Sequence, residues 1–218
     1  GNARRFADSC RYEKAHSEQV ARLAVSIFDQ MVRHSLLGRR SGSAEARLLL
    51  EVASVLHDIG YLVNYAGHHK HSLRLILNSD LQGLTRRQIA IVANVARYHR
   101  RAEPASRHGA YSKLSKSDRR LVRQLAAVLR VADGLDRAHS QLVEEVRLVM
   151  PRVGEGDREI LFSVRASERP TTDLWGAERK MGLLEREFGV KGICQWELPP
   201  VPRRALRLDA VSNGVGAH

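Results

Sequence analysis

Little in this chain points to a secreted or membrane protein. It has two cysteines in 218 residues, Cys10 and Cys194, near opposite ends and without metal-type spacing, which argues against a disulfide framework and for a reducing compartment. The longest stretches without charge run to about ten residues, far short of the ~20 apolar residues of a membrane span. No segment combines the basic start, apolar middle and small-residue cleavage site of a secretory signal, so a cytoplasmic protein without membrane contact is expected. A start at Gly1 in place of methionine also fits a chain whose true N-terminus has been lost. Aromatic residues amount to 5%, and no recognition motif for nucleic acid accompanies them, so a nucleic-acid partner is disfavoured. Internal repeats and a Gly-rich phosphate loop are missing as well.

Acidic residues are the scarcer charge: 24 Asp plus Glu face 36 Lys plus Arg, a formal +12, while 43% hydrophobic residues are enough for a sizeable core. Such a balance favours anionic partners. The excess is local. Ten basic residues and two acidic ones lie between Arg97 and Arg130, a net +8. Thirty of the 36 basic residues are arginine, a ratio that genome base composition can also produce. Histidine is local too: nine of ten fall in the first 139 residues.

Periodicity reads as a series of helices followed by a small mixed segment. From about Glu13 to Val32 the residues Val20, Leu23, Ala24, Ile27, Phe28 and Met31 recur at helical spacing, with His16 four before Val20 on the same face. Ser43 is an expected N-cap for a second helix ending at His57-Asp58. A short helix opens at His68-His69-Lys70-His71, and Thr85 to Gln88 is a capping box for a helix running down to His99. Residues 102–115 read as a loop. Ser115 to Asp118 is a second capping-box pattern, opening a long helix with Val122, Leu125, Ala126, Leu129 and Ala132 on one face and Asp133 continuing that stripe. Beyond Ser140 two strands are expected, from Val143 to Met150 and from Glu159 to Ala166, joined by a turn around Gly154-Glu155-Gly156. A helix from Asp173 to Phe188 and a last strand from Gly192 to Leu198 complete a β-β-α-β order. The domains expected are 1–141 (helical), 142–200 (α+β) and a partly disordered tail over 201–218.

Four protonatable groups therefore sit at helix ends or on apolar faces: His16, His57, Asp58 and Asp133. An ionised carboxylate stays buried only when paired or metal-bound, and one divalent ion held by two imidazoles and two carboxylates would satisfy all four. The mixed N/O donor set suits Mn, Fe, Zn, Ni or Mg. Taken singly, each residue has a plainer reading: a histidine on an apolar face is more often a hydrogen-bonded core residue, and a buried aspartate often pairs with arginine.

The order of these groups resembles the HD phosphohydrolase superfamily. The runs Leu56-His57-Asp58-Ile59-Gly60, His68-His69-Lys70-His71-Ser72, Ala96-Arg97-Tyr98-His99-Arg100 and Ala132-Asp133-Gly134-Leu135-Asp136-Arg137-Ala138-His139 look like the C-terminal half of the exopolyphosphatase/guanosine pentaphosphate phosphohydrolase (Ppx/GppA) family, over about residues 5 to 200. The resemblance implies a mainly α fold, an HD-domain bundle of about five to seven helices with a small C-terminal α+β appendix. Nothing before His16 has room for the actin-like domains that carry that family's phosphate-loop chemistry, and the resemblance begins almost at Gly1, as it would in the cut end of a longer protein.

Residue by residue, the resemblance implies metal ligation by His16, His57, Asp58 and Asp133, with His71 and His99 similar in placement to the extra histidines of a second metal bridged by Asp58. His68 and His69 compete with His71 for that role. Tyr61 follows Gly60 where cyclic-di-nucleotide phosphodiesterases of the superfamily carry lysine, which disfavours that substrate. The enzyme expected is a metal-dependent phosphohydrolase acting on a phosphate ester or anhydride, the metal activating a water for in-line attack. Catalytic roles then fall to Asp58, Lys70 and Arg100, and substrate-binding roles to Lys70, Arg97, Arg100 and Arg101, although these cations read equally well as a solvated face. Asp136 is a candidate to orient a ligand histidine, against the more favoured reading of Asp136-Arg137 as a surface pair. The alternative function is a non-catalytic, dimerising, polyphosphate-binding module that uses Arg119, Arg120, Arg123 and the rest of the +8 segment as an anion track.

Overall fold

The stripe Val20, Leu23, Ala24, Ile27, Phe28 and Met31 forms the inner face of a 20-residue helix, α2 (Lys14–Arg33), and all six side chains are buried. The computed structural model describes residues 1–64, 66–150 and 158–199. In it α1 (Asn2–Ser9) precedes α2. The next helix, α3 (Ala44–Leu56), opens on Ser43, whose Oγ accepts from the Ala46 amide at 3.1 Å. It stops at His57, and Asp58 leads into a 3₁₀ turn over Ile59–Leu62. Gly67, at φ +76°, makes the left-handed turn into α4 (His68–Leu77), a conformation open to glycine at little steric cost.

The expected capping box is complete at the start of α5 (Arg86–Arg97), between Thr85 and Gln88. The segment 102–115, expected as a loop, contains one short helix, α6 (Gly109–Ser112), which buries Tyr111. At the start of α7 (Lys116–Gly134) only half of the expected box forms. Ser115 Oγ accepts from the Asp118 amide, whereas the Asp118 carboxylate turns to Arg40 and Arg87.

Among the described residues seven α-helices precede residue 135, at the top of the expected range. α2 packs on α3 and α7, α5 on the same two helices, and α4 on α5 and the 3₁₀ turn. Leu23, Leu49 and Leu125 lie wholly buried between them. Truncating such a side chain to alanine costs about 2–5 kcal/mol.

The C-terminal part is a three-stranded sheet in the order β1 (Glu145–Val149), β2 (Glu159–Arg165), β3 (Lys191–Glu197). β1 and β2 are antiparallel with Val146 opposite Val164; β2 and β3 are parallel with Phe162 opposite Cys194. The expected turn around Gly154 and the tail over 201–218 lie outside the described residues. The single helix expected from Asp173 to Phe188 is two, α8 (Thr171–Lys180) and α9 (Gly182–Phe188), dividing at Met181.

The sheet forms the small C-terminal appendix expected, and side-chain contacts tie it to the bundle. Gln30 of α2 acts as an extra rung on the β1 edge, donating to Val146 O and accepting from the Leu148 amide, both at 2.8 Å. The buried apolar residues of both parts form one continuous core. No described helix is long and apolar enough to cross a membrane.

Candidate functional site

The ends of α3, α5 and α7 and the starts of α2 and α4 meet at Asp58. His16 is in the first turn of α2, His57 and Asp58 follow α3, His68 opens α4, His99 lies just beyond α5, and Asp133 is in the last turn of α7. All six are buried.

Their atoms form two groups that share Asp58. On one side His57 Nε2 is 3.3 Å and His16 Nε2 3.8 Å from Asp58 Oδ2, and the same two nitrogens lie 3.8 and 3.4 Å from Asp133 Oδ1. On the other side His68 Nε2 and His99 Nε2 lie 3.2 and 3.3 Å from Asp58 Oδ1. Ligand atoms held around one ion by bonds of ~2.1 Å sit about 3.0–4.2 Å from one another, from adjacent to opposite positions, so both groups have the dimensions of a metal cradle.

The tautomers are set from behind. His57 Nδ1–H donates to Ser54 O at 2.6 Å, His99 Nδ1–H to Ala96 O at 2.7 Å, and His16 Nδ1–H to Asp136 Oδ2 at 2.8 Å. Each ring thereby turns Nε2 inward, the arrangement found behind ligating imidazoles. His16 Nε2, His57 Nε2 and Asp58 Oδ1 are buried without a hydrogen-bond partner among the described residues. Buried polar atoms are nearly always satisfied, and a divalent ion in each cradle would satisfy all three, so the residues present fit such ions.

The electrostatics point the same way. Burial would raise Asp58, yet the His57 and His68 imidazoles beside it hold it well below the usual carboxylate range. Burial would likewise raise Asp133, and Lys180 and His16 hold it down. His99 is pushed down to about 3, mainly by burial, and so is neutral, as a ligand must be. Burial would lower His16, but Asp133 and Asp136 on either side of its ring raise it to about 10, so an ion bound at Nε2 has to displace a proton there.

The turn carrying His57-Asp58 is clamped by α4. Ser72 Oγ–H donates to His57 O at 2.7 Å and accepts from the Gly60 amide at 2.9 Å. Gly60 permits this approach, since a Cβ there would lie 2.0 Å from His68 O. The clamp also decides among the three neighbouring histidines. His68 is four residues before Ser72 and shares its face, so it meets Asp58. His71, expected beside His99, is rotated about 100° from Ser72 and lines a separate cavity with Phe6, Val63 and Arg74. His69 is buried next to His68, and burial together with the charges of His68, Arg100, Arg101 and Lys70 pushes it down to about 4.

Of the four cations expected to bind substrate, Arg100 comes closest to the centre, with Nη1 3.2 Å from His68 Nε2. Lys70 and Arg101 are exposed, and Arg97 lies over the Tyr98 ring at 5.3 Å. The +8 segment is divided. Arg130 is buried, donating to Tyr98 O and Arg101 O, and Arg123 pairs with Glu187. Lys116, Arg119 and Arg120 join Arg123 around an open cavity of about 830 Å³.

Two side chains at the centre depart from expectation. Asp136 is fully buried rather than part of a surface pair: α7 ends at Gly134, and the chain turns so that Asp136 faces His16 and Gln141 while Arg137 lies over Trp175. Asp133, expected to need a metal as its partner, also has one in Lys180 at the end of α8. No apolar stripe or motif in the sequence signals that contact. His139 stacks on His16 with ring centroids 3.7 Å apart and bonds Glu13 Oε2 at 2.8 Å, covering the outer side of the ring.

Comparisons with known proteins identify the family. The chain is similar to a guanosine-5'-triphosphate,3'-diphosphate pyrophosphatase of Vibrio parahaemolyticus, 29% identical over 176 residues, which are 80% of this chain and 32% of that protein. A protein of the same name from Aeromonas hydrophila is 33% identical over 135 residues, 59% of this chain and 25% of its own length. The chain thus spans about a third or less of the length of these relatives. The description "Ppx/GppA phosphatase, domain III" matches residues 2–162, and with these residues the chain belongs to the Ppx/GppA phosphatase family.

Proposed function

We propose that the chain is an HD-type phosphohydrolase domain that binds divalent metal at His16, His57, Asp58 and Asp133, with a second ion at Asp58, His68 and His99. Its substrate is a phosphate ester or anhydride of the nucleotide or polyphosphate kind; the relatives' name, which specifies a guanosine polyphosphate, supports this class. The observation that carries the reading is that buried polar atoms stand unpartnered on both sides of Asp58: His16 Nε2 and His57 Nε2 beside its Oδ2, and its own Oδ1 facing His68 and His99.

A metal bound there supplies Lewis-acid chemistry, polarising a phosphoryl oxygen and acidifying water. The protein's own groups do the remaining work. Asp58 offers one oxygen to each cradle and ties the two together. Asp136, Ser54 O and Ala96 O hold three imidazoles in the tautomer that faces inward. Arg100, beside His68, is placed to bind a substrate oxygen, and the exposed Lys70 and Arg101 reinforce the positive rim around His69. The donor set of imidazole and carboxylate favours Mn, Fe, Zn, Ni or Mg.

A second reading is supported by the cavity at Lys116, Arg119, Arg120 and Arg123, which has four cations and no carboxylate in its lining. In it the chain is a polyphosphate-binding, dimerising module without chemistry of its own. One experiment separates the two: metal content by mass spectrometry after loading, with phosphatase assays on wild type and Asp58→Ala. The first reading expects about one or two metals per chain and loss of both metal and activity in the variant. A wild-type protein that takes up no metal yet binds polyphosphate would leave only the second.

A further inference from the structure

Lys180 is a cation delivered to the centre from a distant part of the chain. It ends α8, in the C-terminal α+β part, and its Nζ pairs with Asp133 Oδ2 while Asp133 Oδ1 faces His16 and His57. Its side chain is 15% exposed and that of Asp133 11%. Both are therefore more accessible than His16 and His57, whose side chains are fully buried.

The placement of Lys180 is built into the backbone. α8 crosses the end of α7 at contact distance: a Cβ on Gly134 would lie 2.7 Å from Ala177 Cα, and one on Gly176 would lie 2.5 Å from Gly134 O. The start of α8 is pinned by Asp173 Oδ1, which accepts from the Ala138 amide at 2.9 Å. A lysine stem has several free torsions, and holding one in a single position costs side-chain entropy. A glycine-to-glycine crossing that aims this stem at the centre is more than a surface ion pair needs.

Charge says what Lys180 is for. Among the buried groups, the carboxylates Asp58, Asp133 and Asp136 against the Lys180 ammonium sum to −2 when the imidazoles are ligands and therefore neutral. A dication in each cradle turns it to +2. Asp133 is then drawn to the ion, the ammonium is repelled by it, and a desolvated ammonium requires a new anionic partner. We propose that Lys180 is a substrate-binding residue that exchanges Asp133 Oδ2 for an oxygen of a terminal phosphoryl group. The ligand class is then a phosphoryl dianion, a monoester or the end of an anhydride chain, in preference to a diester monoanion. This inference rests on the metal-centre reading above.

The test is calorimetric binding of orthophosphate, and of dimethyl phosphate as a monoanionic diester, to metal-loaded wild type, Lys180→Met and Lys180→Arg, with metal content measured on each. Lys180→Met is expected to keep or gain metal while losing about tenfold or more in orthophosphate affinity, as loss of a charge-assisted contact does. Lys180→Arg should recover most of that affinity, and the diester should bind weakly to all three. Equal orthophosphate affinity in wild type and Lys180→Met would overturn the proposal while leaving the metal reading intact. So would a loss of metal in Lys180→Met, since Lys180 would then only support Asp133. Wild type that takes up no metal would overturn both.

Discussion

Helix α7 carries one buried carboxylate near each end, and the two behave differently. Asp118, 5% exposed, is surrounded by partners: Arg40 at 2.6 Å, Arg87 at 2.6 and 3.1 Å, and the Ser115 cap on its amide. Asp133, 8% exposed, has Lys180 on one oxygen, and its other oxygen faces imidazole nitrogens that are themselves unpartnered. Burial of an acid does not separate scaffold from site. At Asp118 every neighbour is already satisfied, so the group ties α7 to α5 and to the loop before α3. At Asp133 the unsatisfied valence lies in the neighbours, and the position has capacity left for a ligand.

The contrast can be broken most easily at the Asp133 end. Asp136→Asn should weaken metal binding about 10–100-fold, because the amide no longer compels His16 to carry its proton on Nδ1 and point Nε2 inward. Competition with a chelator measures this directly. Unchanged affinity would mean that the ring is held by packing under His139 alone.

At the other end Asp118→Asn should leave metal affinity untouched and cost about 1–3 kcal/mol in urea unfolding, the range for loss of hydrogen bonds to charged groups. Its two arginines are about half exposed, which places the effect toward the lower part of that range. The pH dependence has a definite sign. Burial raises Asp118, but Arg87 and Arg40 outweigh it, so its folded pKa lies below the unfolded value of about 3.9. The contribution is complete above that value and disappears as pH falls through the folded pKa. The variant should therefore lose stability at neutral pH and show a flatter acid limb below about pH 4. An acid limb identical to wild type would show that other carboxylates govern it.

The parts of this arrangement that depend on helical phase were readable in the sequence. His16 four before Val20 and Asp133 four after Leu129 continue their stripes inward, and Ser43, Thr85 and Ser115 mark helix starts through a local hydrogen bond that needs no tertiary information. What escaped depends on where helices stop or cross. Asp136 is beyond the end of α7, where a turn replaces the 100° step and phase no longer tells inside from outside. His68, His69 and His71 share one short helix, and its rotation is set by Ser72 gripping the turn at His57 and Gly60, a contact between elements. Lys180 reaches Asp133 across 47 residues because two glycines let α8 and α7 touch. A single sequence shows the glycines without showing that they face each other.

The smallest effect is expected from Ser115→Ala, and it probes how independent the two ends of α7 are. Ser115 accepts from the Asp118 amide at an exposed position, where water can take its place, so the variant should cost about 1 kcal/mol, the usual value for a lost N-cap. The cap and Asp133 are separated by 18 residues of one helix, roughly 27 Å at 1.5 Å per residue. The intervening stripe of Val122, Leu125, Ala126 and Leu129 is wholly buried, so fraying at the first turn has a packed core to cross before it reaches the centre. Metal affinity in Ser115→Ala should therefore equal that of wild type in the same chelator titration. A measurable drop would mean that α7 moves as a single rigid rod, and that the pairing of Asp118 at one end helps set the position of Asp133 at the other.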